Sequence, residues 1–276
     1  MPIEEKVVEN LIEKSFNDLV SLLINNRTNE NLIFPKYRDE TVRYSEQELR
    51  QFFLKNVETQ ENNDNKIYFY SVETPTKLVY RFTNTEIPKV KDPNDTDDND
   101  KDNYKSARFD VSLYSKNDTN ELLSHIEFKY GNPDQKNAIC KDFLKLISEV
   151  DLTKEKKNFF VHYLCVKTEK GWESQTFPSL FKKYCDSIVD IEESLKRSTN
   201  QDKTKRFLEK LSKNLMSYLQ NITVYLLCFF EDSKSSSVYR FSLKNLESYI
   251  NNEKENSVIT DKSWLNEKIF NTENYI

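Results

Sequence analysis

The chain has 276 residues, of which 37% are hydrophobic and 32% are charged, a composition that suits one polar globular domain and not a disordered or membrane protein. Only two glycines and two histidines occur. Their scarcity excludes dinucleotide-binding glycine patterns, phosphate loops, the glycine-framed nucleophile of esterases and histidine-based zinc enzymes. Carboxylate chemistry is therefore the main option for catalysis.

The formal net charge of −5 disfavours a nucleic-acid partner, which normally meets a basic surface. That charge is unevenly distributed, because the segment from Asp92 to Asp102 holds six aspartates and one lysine and equals the whole excess. The stretch from Lys196 to Lys213 holds seven basic and two acidic residues. A basic surface is therefore available there, with an ordinary solvated helix face as the alternative interpretation.

The cysteines and the N-terminus indicate the compartment. Four cysteines lie far apart, and Cys165 and Cys228 fall inside apolar runs, a pattern that predicts buried free thiols in a reducing environment. The N-terminus has no basic region followed by an apolar stretch, and the longest apolar run, residues 222–230, is too short to span a bilayer. A cytoplasmic protein without a membrane partner is expected.

Two helices are predicted in the first quarter of the chain. Apolar residues recur at helical spacing over residues 3–25, which predicts an amphipathic helix packed on a core. Ser45 and Glu48 have the spacing of a capping box, so a second helix is expected to begin at Ser45 and to end near residue 60.

The next segment predicts strands and a loop. Aromatic and β-branched residues over 66–73 and 77–83 are typical of two strands, joined by Thr74-Pro75-Thr76. The acidic stretch 88–103 has no apolar periodicity and is interpreted as a loop.

Strict alternation of apolar and polar residues over 107–115 and 122–130 predicts a hairpin with one core face and one polar face. The expected core face has Phe109, Val111, Leu113, Ile126, Phe128 and Tyr130, and the expected polar face has Arg108, Asp110, Ser112, Tyr114, His125, Glu127 and Lys129. A symmetric closure about residues 117–120 places Asp110 opposite Glu127, with a metal-sized gap between the carboxylates.

A helix and a buried strand follow the hairpin. Asn132 and Pro133 form a helix start, and an apolar stripe predicts a helix to about Val150. The apolar run 158–166 predicts a strand buried on both faces and reached by a helical crossover. Farther along, helices are expected at 177–196 and 201–219 and strands at 222–230 and 237–242, before a polar tail.

Glu46 on a helix, Asp110 on a strand and Glu127-Phe128-Lys129 on the next strand, followed by a helix and a buried strand, resemble the PD-(D/E)XK nuclease superfamily of restriction enzymes and Holliday-junction resolvases. The resemblance covers residues 41–166, and Phe109 replaces the usual proline before the aspartate. It implies an α/β fold with a restriction endonuclease-like αβββαβ core, in which helices flank a mixed central sheet. We expect a single elaborated domain over 1–276, with the core at 41–167, a helical extension at 1–40 and a helical and strand elaboration at 171–276.

The chemistry of this constellation supports the resemblance. Asp110 and Glu127 offer hard oxygen ligands for Mg²⁺ or Mn²⁺, and Lys129 could orient the attacking water or stabilise the transition state. The same E-x-K spacing recurs at Glu4-Glu5-Lys6 and Glu155-Lys156-Lys157, so only the strand context distinguishes this one. The alternative is a structural cross-strand salt bridge on a wet face.

Further site residues are assigned with an alternative for each. Glu46 is preferred over Glu48 as the helix glutamate that completes the site, because Glu48 already has a role as the capping partner of Ser45. Helix-dipole compensation is the alternative role for Glu46. Four residues are candidates for substrate binding, with a buried hydrogen-bonded histidine, a surface ion pair or plain solvent exposure as alternatives: Arg108, His125, Gln135 and Lys136.

The leading hypothesis is a Mg²⁺-dependent nuclease that hydrolyses phosphodiester bonds, with DNA as the preferred substrate. Prokaryotic defence or DNA maintenance follows by analogy with the resembled family alone. One alternative is the same fold used as a non-catalytic module that binds nucleic acid or protein. Another is a protein whose acidic segment at residues 92–102 mimics DNA phosphates. A homodimer is compatible with all of these hypotheses.

Overall fold

The computed structural model describes residues 3–25, 34–39, 42–59, 68–82, 89–91, 104–115, 121–132, 137–153, 156–198, 205–246 and 266–270. The first part contains α1 (Ile3–Asn25), α2 (Glu46–Thr59), β1 (Tyr68–Arg81), β2 (Lys89–Lys91), β3 (Lys105–Ser115), β4 (Leu122–Tyr130), α3 (Asn137–Ser148) and β5 (Asn158–Val166). The second part contains α4 (Glu169–Gly171), a π-helical turn (Trp172–Thr176), α5 (Phe177–Ser198), α6 (Lys205–Lys213), α7 (Leu215–Gln220), β6 (Ile222–Phe230), β7 (Ser235–Ser242), a 3₁₀ turn (Leu243–Asn245) and β8 (Asn266–Phe270).

The strands of the described chain form one mixed sheet in the order β2-β1-β3-β4-β5-β6-β7-β8. Neighbours are antiparallel on both sides of a parallel centre made of β4, β5 and β6. Parallel neighbours require crossovers, which α3 provides between β4 and β5 and α4 to α7 provide between β5 and β6. The predicted α/β class with a mixed central sheet flanked by helices is confirmed. The predicted order of helix, three strands, helix and strand is present, with β2 inserted after β1.

Helices cover both faces of the sheet. On one face, α1 and α2 contribute Phe16 and Phe53 to a core cluster that includes Phe128 of β4. On the other face, α3 contributes Phe143, and α5 contributes Leu180, to a second cluster. The face that carries the predicted polar residues His125 and Glu127 is not open to water, because α3 packs over it and buries both side chains.

Phe109 also departs from the predicted alternation. It packs in the cluster with α3 and α5, whereas Val111 and Leu113 pack in the cluster with α1 and α2. Phe109 stacks on His125, with ring centroids 3.9 Å apart. The period-2 pattern fails here because β3 leaves its regular pairing with β4 just before Val111.

β1 is one strand and not the two that the sequence predicts. The Thr74-Pro75-Thr76 segment stays within the strand, and the register with β3 shifts between Pro75 and Val79. The hydroxyl of Thr76 accepts a hydrogen bond from the Ala107 N–H at 3.0 Å. This side-chain bond replaces part of the backbone ladder, so the chain passes the proline without a turn.

Two expectations for the C-terminal part of the chain differ from the structure. The helix predicted at 201–219 is divided at Asn214 into α6 and α7, and β8 falls in the predicted polar tail. The hairpin tip at 117–120, most of the acidic stretch (92–103) and residues 133–136 lie outside the described residues. The four cysteines are free thiols, and three of them are buried. In the described ranges, no helix combines the length and the apolar character that crossing a membrane requires.

Candidate functional site

The β3–β4 hairpin brings the Asp110 charge close enough to Glu127 to raise the pKa of that carboxyl. Val111 pairs with Ile126 and Ser112 pairs with His125, which is the register expected from a symmetric closure. The pairing of Asp110 with Glu127 itself stays a prediction. The described ladder stops at Val111. Beyond that point the carboxylate Oδ2 of Asp110 accepts the Phe128 N–H at 2.8 Å. The Asp110 side chain thus takes the place of a backbone acceptor between the two strands.

Asp110 has a second donor from helix α2. The guanidinium Nη1 of Arg50 lies 3.4 Å from Asp110 Oδ1 and 3.1 Å from Glu73 Oε1. Burial raises the pKa of Asp110, and the Phe128 N–H and Arg50 oppose that rise only in part. Both oxygens of Asp110 therefore have protein partners.

Glu127 is buried beneath α3, with 3% of its surface exposed. The Lys145 ammonium lies 2.6 Å from its Oε1. Burial raises the pKa of Glu127 well above its ordinary value, and the charges of Asp142 and Asp110 add to that rise, while Lys145 opposes it. The carboxylate thus depends on Lys145 for its compensating charge.

Asp142 of α3 joins the two lysines. Its Oδ2 lies 3.0 Å from Lys129 Nζ, and its Oδ1 lies 3.2 Å from Lys145 Nζ. Burial acts to raise the pKa of Asp142, but the two ammonium groups outweigh burial and lower it. Lys129 responds in the opposite direction: burial acts to lower its pKa, and Asp142, Glu46 and Glu127 raise it overall. Each of these groups is therefore stabilised in its charged form by the others.

Lys145 has further contacts on the same ammonium group. It donates to the carbonyl oxygen of Arg108 at 3.0 Å and lies 5.7 Å from the ring centroid of Phe109. Together these groups form a set that we call the charged network, in which three carboxylates balance three cations. Its members are Arg50, Asp110, Glu127, Lys129, Asp142 and Lys145.

Sequence reasoning missed half of the charged network. Asp142 lies three residues after Ile139, inside the apolar stripe of α3, and both Asp142 and Lys145 are buried. A charged pair within a helix face that points to the core is the signal that could have identified them. Arg50 has a comparable place on α2, one residue after the buried Leu49.

The remaining predicted residues have different positions. Glu48 caps α2 as expected, because its Oε2 accepts the Ser45 N–H at 3.1 Å. Glu46 is the first residue of α2, close enough for its charge to raise the pKa of Lys129. The Arg108 side chain is exposed, and its contribution to the network is its backbone carbonyl. Gln135 and Lys136 lie outside the described residues.

The His125 side chain is buried, with 5% of its surface exposed. Its Nδ1 is 2.7 Å from the Ser112 hydroxyl, and its backbone N–H donates to Asn158 Oδ1 at 2.9 Å. Burial lowers the pKa of His125 to about 3, so the ring is neutral at pH 7. These contacts correspond to the structural role that was the alternative for this residue.

The side chains of the charged network determine whether it could bind a divalent cation. Across the ranges that the structure describes, no three His, Cys, Asp or Glu side chains come together closely enough to hold a metal ion. A site built on Asp110 and Glu127 would therefore have two carboxylates. That number fits Mg²⁺, which binds one or two protein carboxylates and keeps several waters or phosphate oxygens. The two carboxylates fit the ion in type and number. Arg50 already contacts Asp110, and Lys145 already contacts Glu127.

Comparison with known proteins gives no family for this chain. No family model, no curated protein and no solved structure matches it. A functional assignment therefore rests on the geometry and chemistry of the charged network.

Proposed function

We propose that the chain is a metal-dependent nuclease of the PD-(D/E)XK type, which hydrolyses phosphodiester bonds of nucleic acid, preferably DNA. The observation that carries the proposal is that Asp110 of β3 and Glu127 and Lys129 of β4 all belong to the charged network. Its core would be the restriction endonuclease-like region at 41–167.

The roles of the residues follow from their chemistry. Asp110 and Glu127 would hold Mg²⁺ or Mn²⁺, which would lower the pKa of a bound water and neutralise charge on the phosphate. Lys129 would donate to the attacking water or to a phosphate oxygen. Asp142 accepts a hydrogen bond from the Lys129 ammonium and raises its pKa, which keeps Lys129 charged. Glu46, at the start of α2, would act on the same site through Lys129.

A second candidate function has its own supporting observation. The predicted ligands and the predicted catalytic lysine are already paired inside the protein, Glu127 with Lys145 and Lys129 with Asp142. Buried pairs of this kind also occur where charge has only a structural role. The second candidate is therefore a non-catalytic module of the same fold that binds nucleic acid or a protein, in a cytoplasmic setting and with a homodimer as one possible form.

Cleavage assays separate the two candidates. Labelled single-stranded, duplex and branched DNA and RNA are incubated with the full chain in Mg²⁺, in Mn²⁺ or in EDTA. Glu127→Gln and Lys129→Met are compared with wild type, and Lys157→Met is the matched control, because Lys157 forms an ion pair with Glu5 outside the network. We expect metal-dependent cutting by wild type and Lys157→Met and loss of at least about 10²-fold in the other two.

The contrary result is equally clear. If wild type cuts no substrate with either metal, and calorimetry detects no Mn²⁺ binding that requires Asp110 and Glu127, the nuclease proposal is wrong. Binding of the same nucleic acids without cleavage would then support the second candidate. Loss of cutting in Lys157→Met to the same degree would show that the effect of the variants is on folding.

A further inference from the structure

We propose that the Lys145 ammonium is a built-in counter-ion that occupies an oxygen-lined position of the site and competes with the divalent cation there. The inference rests on the proposed function, since it concerns the metal of that site. It assigns to Lys145 a role that limits metal affinity, which is opposite to the role of a group that helps to bind the metal.

The geometry around the ammonium is that of a cation site. Three oxygens from three separate elements approach Lys145 Nζ: Glu127 Oε1 of β4 at 2.6 Å, the Arg108 carbonyl of β3 at 3.0 Å and Asp142 Oδ1 of α3 at 3.2 Å. Only 9% of the Lys145 side chain is exposed. Carboxylate and carbonyl oxygens are also the donors that Mg²⁺ and Mn²⁺ prefer.

Competition follows from the shared carboxylate. Glu127 is the residue that a metal would use, and its Oε1 is already bonded to the ammonium. A divalent cation on Glu127 would therefore lie close to a buried positive charge, and the repulsion between them is little screened in the interior. The metal has to displace Lys145 or bind beside it, and either arrangement weakens binding.

Lys129 serves as an internal contrast. In the resembled nuclease pattern Lys129 is the lysine two residues after Glu127. Its ammonium nevertheless forms its ion pair with Asp142, and 25% of its side chain is exposed. The Lys145 ammonium is surrounded by the three oxygens, whereas the Lys129 ammonium is more exposed and pairs with Asp142. Removal of the two charges should therefore change metal binding by different amounts.

The test is Mn²⁺ titration calorimetry on the full chain, with thermal unfolding measured with and without Mn²⁺. Lys145→Ala is expected to bind Mn²⁺ at least about tenfold more tightly than wild type, because the ion takes up buried carboxylates that have lost their counter-ion. Its melting temperature should rise more with Mn²⁺ than that of wild type. Lys145→Arg, which keeps the charge, should bind as weakly as wild type.

Two additional variants make the result decisive. Lys145→Ala combined with Glu127→Gln should lose the gain in affinity, since the shared carboxylate is then neutral. Lys145→Gln keeps an N–H donor without the charge, and it carries the test if the alanine variant does not fold. Mn²⁺ affinity in the neutral variants that is equal to or below that of wild type would overturn the proposal.

The outcome is separable from that of the nuclease assay. Tight Mn²⁺ binding by Lys145→Ala, together with no cleavage by wild type, would support the counter-ion role and contradict the nuclease. Metal-dependent cleavage by wild type, together with no gain of affinity in Lys145→Ala, would support the nuclease and contradict the counter-ion role.

Discussion

Two clusters of buried or half-buried ion pairs occur among the residues that the structure describes, and they are built differently. The charged network beneath α3 draws its carboxylates from β3, β4 and α3. The second cluster, which we call the α1 clamp, joins Glu5 and Glu9 of α1 to Lys157 and to Arg240 of β7. In the clamp both acids lie one turn apart on one helix, and the cations stay 28–29% exposed.

This difference indicates which of the two clusters needs a functional explanation. The clamp holds α1 against the sheet with cations that still reach water, so its charges are screened and their role is structural. The charged network places Asp110 and Glu127 on adjacent strands, where burial raises the pKa of both carboxyls and the Asp110 charge adds to the rise at Glu127. Such a concentration of acids costs stability. It is the arrangement expected where a cation has to be bound.

Removal of the Lys145 charge is expected to change the free energy of unfolding more than any of the other substitutions below. Lys145→Met should lower the free energy of unfolding by about 3–5 kcal/mol in the absence of metal, because Glu127 is left buried without its counter-ion and Asp142 keeps only Lys129. Urea unfolding followed by circular dichroism measures this change. A loss no greater than that of the clamp variant described below would remove the energetic distinction between the two clusters.

The second expected effect is a difference in acid sensitivity. The network lowers the pKa of Asp142 below its ordinary value, so Asp142 binds fewer protons in the folded chain, and its contribution to stability is lost as the pH falls below about 4. Glu9 in the clamp has a pKa raised by burial. Protonation of the Glu9 carboxyl therefore favours the folded chain, so acid does not reduce stability at this residue.

This contrast is measured as the slope of unfolding free energy against pH. Between pH 5 and pH 3, Asp142→Asn should lose stability less steeply than wild type, and Glu9→Gln should not show that shallower slope. Equal slopes in wild type and Asp142→Asn would contradict the assignment of this acid sensitivity to Asp142.

The third effect concerns the clamp itself. Arg240→Met should cost about 1 kcal/mol, because the guanidinium is partly exposed and the Glu9 carboxyl can take up a proton once its partner is gone. A double-mutant cycle with Glu9→Gln gives the coupling energy directly. A coupling as large as that of Lys145 with Glu127 would indicate that the clamp, too, is a strongly desolvated site.

The smallest effect sets the baseline for both clusters. Lys196 and Glu192 form an i,i+4 pair on α5, with 63% and 45% of their side chains exposed. Lys196→Ala should change the free energy of unfolding by less than about 0.5 kcal/mol. A larger loss would mean that surface pairs in this chain are stronger than usual, and the estimates for both clusters would have to be raised.

Local patterns were sufficient for the elements that build the site. The alternating runs predicted β3 and β4, and the symmetric closure predicted the register observed at Val111 with Ile126 and at Ser112 with His125. The capping box predicted the start of α2, and the apolar stripe predicted α3. Each of these inferences needs only residues near one another in sequence, where periodicity and turn chemistry decide the structure.

The partners of the charges could not be predicted in the same way. Lys145 reaches Glu127 only because α3 packs across β4, and Arg50 reaches Asp110 only because α2 packs beside β3. These contacts depend on how helices lie on the sheet, which local periodicity does not contain. Phe109 shows the same limit, since its change of face follows from the end of the β3–β4 ladder.

The irregular edge of β1 has a consequence for association between copies of the chain. Within the described ranges, residues 68–75 of β1 pair only with β3, and Phe69 and Val72 are 46% and 45% exposed. An unpaired strand edge can recruit strands from other molecules. Glu73, with a φ of 52°, and Pro75, which lacks an N–H, interrupt that edge. β1 therefore carries its own protection against edge-to-edge aggregation.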